Sequence, residues 1–553
     1  MLRPQPLPPI PEETARIARA ALSPSHPYLR LADELGDAFA DALFADLFPA
    51  HGQPALSPWR LALATILQFA EGLSDRQAAQ AVRSRIDWKY VLRLELDDRG
   101  FDGSVLSEFR GRLLGHDAAT RLFDTLLVWC RERGFVKARG RQRTDSTYVW
   151  SAVRGLNRLE LVVEAMRHAL NTLAAADPSW LRAQAQGEWV DRYARRADRE
   201  RLPDKPAARD ALALTVGADG YTLLQALHAP DAPPWLREVP AAAMLRLVWL
   251  QNYTRTDAEV RWRTEQETPP AARFISSPYD EDIHLAFRRN MHGIGDKIHL
   301  TEACDDGQPP LIIHVETTTA PVADGDMTPV IHAALQGEEL LPQEHVVDTG
   351  YLDAALLVSS RREYGVDLVG PTRLDYHWQA QERTGFALEH FRIDWDKQQA
   401  VCPEGHVSNS WTPAVDRRDN QVITIKFSGR DCRRCPSREF CTRSTKQYPR
   451  RAITIRAREE FDALLVARQR VRTGEYATTY AKRAGCEGTL SRGVRRCRLR
   501  RTRYVGQERV HLGHLLTATG LNFVRLGEWL AGTPRAKARS SPFAALMAGP
   551  PRA

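Results

Sequence analysis

The strongest constraint on the fold lies between residues 143 and 370, where short β-forming runs alternate with helical spacing. Arg143-Thr144-Asp145-Ser146-Thr147-Tyr148-Val149-Trp150 follows Gly140 and is rich in β-formers, which predicts a strand. Helical spacing then runs from about 155 to 265, interrupted near Pro178, Pro203 and Pro233. Two further β-forming runs, 297–302 and 311–317, flank a turn-forming Asp305-Asp306-Gly307. After them come a helical stretch at 329–335, a buried-strand run His345-Val346-Val347-Asp348, a helix at 352–359 and a short strand at 366–370. A hairpin followed by strand–helix alternation specifies a mixed α/β sheet.

A chain of 553 residues exceeds what one hydrophobic core usually organises, so several domains are expected. Residues 1–26 are Pro-rich and read as a flexible lead. Residues 27–135 read as a helical N-terminal domain, for which DNA binding is one expectation. Within it, 61–70 is apolar around most of its circumference, as in a buried helix. Ser74 with Gln77 three residues on forms a capping-box signature. A second helix start at Gly103-Ser104 puts Val105, Leu106, Phe109 and Leu113 on one face and leaves Ser107, Arg110 and Arg112 elsewhere. Two readings of this pair stand: a helix-turn-helix DNA reader, or plain helical packing. The α/β core then comprises 136–370 and 456–532, with a helical insertion at about 155–285. Residues 371–455, rich in Cys, Trp and short alternating runs such as 422–427, read as a β-rich insertion. Helical spacing resumes from 457 to about 483, an Arg-rich segment leads to a last helix at 511–530, and 533–553 reads as a flexible tail.

With 43% apolar and 26% charged residues, the composition is that of ordinary globular protein and disfavours wholesale disorder and fibrous classes. No apolar run is long enough for a membrane span, and the N-terminus lacks the apolar stretch of a signal peptide, so a cytoplasmic location is expected. The net charge of +8 hides an asymmetry. Residues 431–510 hold 22 Lys and Arg against 8 Asp and Glu, so this stretch carries +14 and the remainder −6. Its densest part, Arg492, Arg495, Arg496, Arg498, Arg500, Arg501 and Arg503, has the side chains best shaped for bidentate phosphate contact, which favours a polyanion footprint over a merely solvated face. Cys402 and the Cys432-x2-Cys435-x5-Cys441 run offer four thiolates to a structural zinc ion, with His406 as a substitute ligand; the competing reading is a set of reduced thiols in a small insert. Cys130, Cys304, Cys486 and Cys497 read as ordinary thiols. Trp378, Trp395 and Trp411 read as core of the insertion, with stacking on an unpaired base as the alternative. His292, His299 and His314 show no ligand spacing.

Two acids stand where strands of the sheet should end, Asp145 and Asp348. A third, Glu487, follows Tyr480 and Arg483 at a spacing that places all three on one helix face, beside the most basic part of the chain. Gly485 and Gly488 weaken that helix, so it should end or bend at Glu487.

These segments resemble a family. Thr144-Asp145-Ser146-Thr147 with the following Arg154-Gly155-Leu156-Asn157-Arg158-Leu159-Glu160, Lys297-Ile298-His299-Leu300-Thr301-Glu302, Val347-Asp348-Thr349-Gly350-Tyr351, Tyr480-x2-Arg483-x3-Glu487 and Gly520-Leu521-Asn522-Phe523-Val524-Arg525-Leu526 resemble, in order, the DDE-type transposases of bacterial insertion sequences. The likeness extends from about residue 30 to 530. It implies a ribonuclease H-like core in which Asp145, Asp348 and Glu487 hold two magnesium ions, with manganese as an alternative, and in which Tyr480 and Arg483 contact phosphate. It further implies binding of terminal inverted repeats, cleavage at the element ends, transfer of the 3′-hydroxyl strands to target DNA, and a homodimer or higher oligomer on double-stranded DNA in the bacterial nucleoid. One departure is Val494, where the family pattern carries Lys; Arg495 is the adjacent cation. The rival readings are a metal-dependent nuclease or resolvase that cuts without joining, and a DNA-binding regulator without chemistry.

Overall fold

A computed structural model describes residues 1–533 apart from 154, 198–201, 257–258, 289–290, 374, 383 and 418, and not the side chains of 286–288, 291 and 292. Arg154, the His292 side chain and residues 534–553 of the expected tail therefore lie outside the described residues.

The N-terminal region is helical: α1 (Glu12–Ala21), α2 (Pro27–Leu35), α3 (Pro58–Glu71), α4 (Asp75–Ser84), α5 (Ile86–Val91), α6 (Gly103–Gly115) and α7 (Arg121–Glu132). Nearly every side chain of α3 is buried, as its all-round apolar sequence requires. Ser74 and Gln77 close the capping box that starts α4. The lead is not loose. Helix α1 buries Ala18 and Thr14, and the Thr14 hydroxyl donates to the Leu94 carbonyl at 2.8 Å. Proline-rich flanks masked this short amphipathic helix in the sequence.

Strand β1 (Arg141–Trp150) begins the sheet. The chain then leaves it for α8 (Arg158–Ala176), α9 (Pro178–Gln184), α10 (Glu188–Tyr193), α11 (Pro206–His228) and α12 (Pro240–Asn252), followed by the small hairpin β2 (Tyr253–Arg255) and β3 (Val260–Trp262). This excursion has its own core around Val162, Met166, Leu223, Leu245 and Trp249. The chain returns through β4 (His284–Arg288), β5 (Met291–Ala303), β6 (Ile312–Thr319), α13 (Asp324–Gly337), β7 (Glu344–Val346), α14 (Ala354–Tyr364) and β8 (Asp367–Val369). The sheet is mixed. β5 lies antiparallel between β1 and β6 and also pairs with β4, whereas β7 runs parallel to β1 and β8 parallel to β7.

A second excursion carries α15 (Trp378–Gln381), β9 (Arg392–Asp394), β10 (Gln399–Val401), β11 (Ser410–Val415), β12 (Gln421–Lys426), α16 (Gly429–Arg434), α17 (Arg438–Cys441) and β13 (Ala452–Arg456). Its core is built on Phe391, Ile425, Phe427, Ile453 and Ile455, with Trp395 packed edge-on to Trp411. Trp378 instead lies under the Arg443 guanidinium, 4.1 Å away. The chain ends in α18 (Arg458–Arg470), α19 (Gly474–Ala481), α20 (Ala484–Cys497) and α21 (Gln507–Leu530).

Helix α21 joins the parts. It packs on α2, α3 and α7 on one side and on β6 on the other, so the N-terminal helices and the sheet share one continuous hydrophobic core. A Cβ at Gly520 would stand 2.6 Å from the Ala70 backbone nitrogen, which makes a residue without a side chain necessary where α21 crosses α3. Asn522 reaches across to β6, accepting from the Ile312 amide at 2.8 Å and donating to its carbonyl at 2.7 Å.

Glu302 on β5 is fully buried and ties four elements together. Arg143 of β1 donates to it at 2.6 Å, Arg525 of α21 at 2.9 Å and Thr489 of α20 at 2.7 Å. Arg143 also donates to the Lys482 carbonyl just before α20. Removing one partner from a buried, hydrogen-bonded charge group strands the others without compensation. Glu302→Gln is therefore expected to lower unfolding stability by about 3–5 kcal/mol in chemical denaturation.

Several imidazoles are buried neutral. Burial, reinforced by His511 and His299, holds His514 down to about 3, and burial holds His332 down to about 4. The unfolded chain takes up these protons near pH 6.5 and the folded chain does not, so stability is complete above that pH and declines as pH falls toward the folded values. Between pH 6.5 and 5 the expected loss is about 2 kcal/mol per imidazole, read from urea midpoints at the two pH values; His514→Gln should remove its share of the slope.

Candidate functional site

The sheet brings two of the expected acids side by side. Arg143 of β1 pairs in parallel with Val346, the last residue of β7; Asp145 stands two residues further along β1, and Asp348 two residues further along the chain as it leaves β7. Asp145 stands in the middle of β1 and not at its end, because β1 continues to Trp150 against β5. Asp348 lies just beyond β7, where its carboxylate accepts from the Gly350 amide at 2.7 Å and caps the following turn.

Glu487 arrives from the other direction. Tyr480, Arg483 and Glu487 are expected on one helix that ends or bends at Glu487, but the break comes earlier: Tyr480 lies in the last turn of α19, Arg483 is the joint, and Glu487 sits in the first turn of α20. The bend follows from packing. A Cβ on Gly485 would stand 2.2 Å from the Arg143 guanidinium, so the start of α20 is pressed onto the buried arginine that Glu302 holds.

All three acids converge on Arg483. Its Nη2 lies 2.8 Å from Asp145 and 3.9 Å from Asp348, and its Nη1 2.7 Å from Glu487. The side chains grade from closed to open: 11% exposed for Asp145, 27% for Asp348 and 62% for Glu487. Burial pushes the Asp145 carboxyl up to about 6, with Asp348 and Glu487 adding to the shift and Arg483 opposing it. Burial and the same three acids raise the Tyr480 phenol, which stacks on Tyr476 with ring centroids 5.4 Å apart. Tyr480 thus borders the cluster, packed with Val346 and Val369 at the ends of β7 and β8.

Two neighbours were not singled out from the sequence. Asp324, the first residue of α13, accepts from the Ser146 hydroxyl at 3.2 Å and pairs with the buried Lys297 at 2.9 Å. Asp324 reads in sequence as an ordinary helix-start acid; the available signal was Lys297, a cation in a run otherwise fit for a buried strand. His299 on β5 stands opposite Ser146 of β1 and bonds to the buried Tyr351 hydroxyl at 2.5 Å, and His314 on β6 bonds to Glu316 at 3.0 Å.

Among the described residues, no group of three or more His, Cys, Asp and Glu is already arranged as a metal-ligand set. The chemistry of the acid cluster nevertheless fits magnesium or manganese: hard carboxylate oxygens surround one cationic group, and the outermost acid is open to solvent. The four cysteines of the second excursion line one cavity of about 20 Å³ together with His406. The His406 amide donates to the Cys402 sulfur at 3.3 Å, and all four are free thiols. Cys130, Cys304, Cys486 and Cys497 are buried elsewhere.

The arginine run divides. Arg492 is half-buried and paired with Glu528, which removes it from a free phosphate-binding face. Arg495, Arg496, Arg498, Arg500, Arg501 and Arg503 are exposed. In the N-terminal region α4 and α6 pack together, but Arg110, expected to be available, is buried and holds Asp75 through bonds of 2.8 and 2.9 Å. Arg76, Gln80, Arg83 and Ser104 line the cleft that remains between the two helices. No helix among the described residues is long and apolar enough to cross a membrane.

A family model described as a transposase DDE domain matches residues 401–527, the stretch holding Glu487, the cysteines and most of α21. A second, described as a transposase domain (DUF772), matches residues 16–112, covering most of the N-terminal helices. No curated protein and no solved structure matches the chain. The two matches, one toward either end of the chain, support a DDE-type transposase of insertion sequences.

Proposed function

We propose that the protein binds the terminal inverted repeats of an insertion sequence, cleaves the phosphodiester at each end and joins the freed 3′-hydroxyl to target DNA. One observation carries this reading: Asp145, Asp348 and Glu487, far apart in sequence, meet around one guanidinium. The sheet supports a ribonuclease H-like core, since three antiparallel strands, β6-β5-β1, continue into the parallel β7 and β8.

In this reading Asp145, Asp348 and Glu487 hold the divalent ions. Magnesium or manganese bound there would make a water a better nucleophile and stabilise the departing oxygen. Arg483, placed among the acids, offers a planar donor pair to a phosphate oxygen of the scissile group. Tyr480 walls the site on the side of β7 and β8 and presents its phenol to the same phosphate. The exposed arginines from Arg495 to Arg503 hold the DNA backbone, and the α4–α6 cleft contributes to reading the repeat. Joining two ends calls for a dimer or higher oligomer on DNA.

Asp145→Ala, Asp348→Ala and Glu487→Ala should each abolish magnesium-dependent cleavage of a terminal-repeat duplex while leaving its binding in a mobility-shift assay within about twofold, since phosphate contacts elsewhere dominate affinity. Cleavage surviving in any one of them sinks the assignment of that residue. A strand-transfer assay with pre-cut ends separates a transposase from a nuclease that only cuts.

We further propose a structural zinc ion on Cys402, Cys432, Cys435 and Cys441, a reading supported by the one cavity that the four thiols line. Purified protein is expected to contain about one zinc per chain, and Cys432→Ser/Cys435→Ser to lose it, as read by elemental analysis. Full zinc content in that double variant would remove the proposal.

A further inference from the structure

A second cavity, of about 350 Å³, opens at the far end of β1, where Val149, the tip of α20, the segment after it and α21 meet the N-terminal helices. Two independent measures relate it to the acid cluster. Val149 is four residues beyond Asp145 on the same face of β1, about 13 Å along the strand. Cys497, which lines the cavity, is ten residues beyond Glu487 on α20, about 15 Å along the helix. Strand and helix thus run side by side from the acids to this cavity, a span of about four nucleotide steps at 3.4 Å each.

The walls and the rim differ in chemistry. Phe69, Val149, Leu499 and Val510 supply apolar walls, and Arg498, Arg501 and Arg503 stand around them. The rim is fixed to the fold. The Trp150 amide donates to the Arg500 carbonyl at 2.8 Å and the Thr502 amide to the Trp150 carbonyl at 3.1 Å, so residues 500–502 continue the sheet beside β1. Arg503 donates to the Leu73 carbonyl at 3.0 Å and covers the Phe69 ring. By contrast, the side chains of Arg498 and Arg501 have no ion pair or hydrogen bond among the described residues. His514 also lines the cavity, deeply buried, with Nδ1 engaged by Thr317 at 2.7 Å and Nε2 without a partner.

Apolar walls with a cationic rim suit a nucleobase attached to a phosphate. A base inside a duplex has its faces covered by stacking and cannot enter such a recess, whereas an unpaired one can. We propose that this cavity receives one unpaired nucleotide of the bound DNA, its base between the apolar walls and its phosphate on Arg498 and Arg501. The proposal rests on the DNA-transposase reading for its ligand but not on the identity of the three acids.

The test compares full-length protein on a blunt duplex and on the same duplex with a short unpaired tail, by fluorescence anisotropy at one salt concentration. The tailed duplex is expected to bind about tenfold more tightly, near the low end for one stacked base. Arg498 has φ +58, which asparagine tolerates, so the cavity variant is Arg498→Asn/Arg501→Ala. It should abolish the tenfold ratio. Arg495→Ala/Arg496→Ala, exposed but outside the cavity, should weaken both duplexes alike and keep the ratio. No preference in the unmodified protein, a ratio that survives the cavity variant, or a ratio erased equally by both double variants would each overturn the proposal. Asp145→Ala should keep the ratio. If that variant still cleaves while the ratio behaves as expected, the acid assignment fails and the nucleotide pocket stands.

Discussion

The buried carboxylate of Glu302 is the contact on which the geometry of the acid cluster depends. Arg143 and Arg525 bring two positive charges to it from β1 and α21, and Thr489 adds a hydroxyl from α20. Neither arginine could stay buried alone, and Glu302 could not stay buried without them. The group therefore exists only when β1, β5, α20 and α21 are all in place. That requirement sets the position of α20, and hence the distance from Glu487 and Arg483 to Asp145. Arg143 does double duty: it holds Glu302 and, by donating to the Lys482 carbonyl, fixes the joint at which Arg483 turns inward.

The same logic links the N-terminal helices to the chemistry. Had they formed a separate body, their orientation would be free relative to the acids. They instead pack on α21, whose other side covers β6 and supplies Arg525 to Glu302. A DNA segment held by α4 and α6 would thus be held at a defined position relative to Asp145. The two excursions are built differently, each around its own core: an extensive one in the first and a smaller one in the second.

Much of this was legible in the sequence, for identifiable reasons. The strands β1, β5, β6 and β7 announce themselves through β-branched runs between turn residues, and the Ser74–Gln77 box marks a helix start by local hydrogen bonding alone. Asp145, Asp348 and Glu487 were singled out by local patterns together with a family resemblance; that they meet around Arg483 is a matter of the sheet and of where α20 is placed. What could not be read was anything decided by long-range pairing. The roles of Glu302 and Arg143 as a buried pair depend on register between β1 and β5, and Arg492 looks like its exposed neighbours until Glu528, a helix away, takes it. The helix break at Arg483 is of the same kind: the local glycines suggested a bend near Glu487, but its place is set by a guanidinium that comes from β1.

The acid cluster is electrostatically incomplete, and this bears on its use. Three carboxylates face one arginine, and the most buried of them, Asp145, already titrates near 6 because burial and its two acidic neighbours disfavour its charge. Such a group is stabilised in its ionised form by whatever adds positive charge close by. Arg483 supplies one charge, but its buried Nε finds no acceptor, so the guanidinium is held by its two terminal nitrogens only. In the proposed function a phosphate and a divalent cation would compete for the two sides of this cluster, the phosphate for the guanidinium and the cation for the carboxylates. Arg483 is thus the group through which the two proposed ligands would feel each other, since among the described residues it is the one cation that all three acids share.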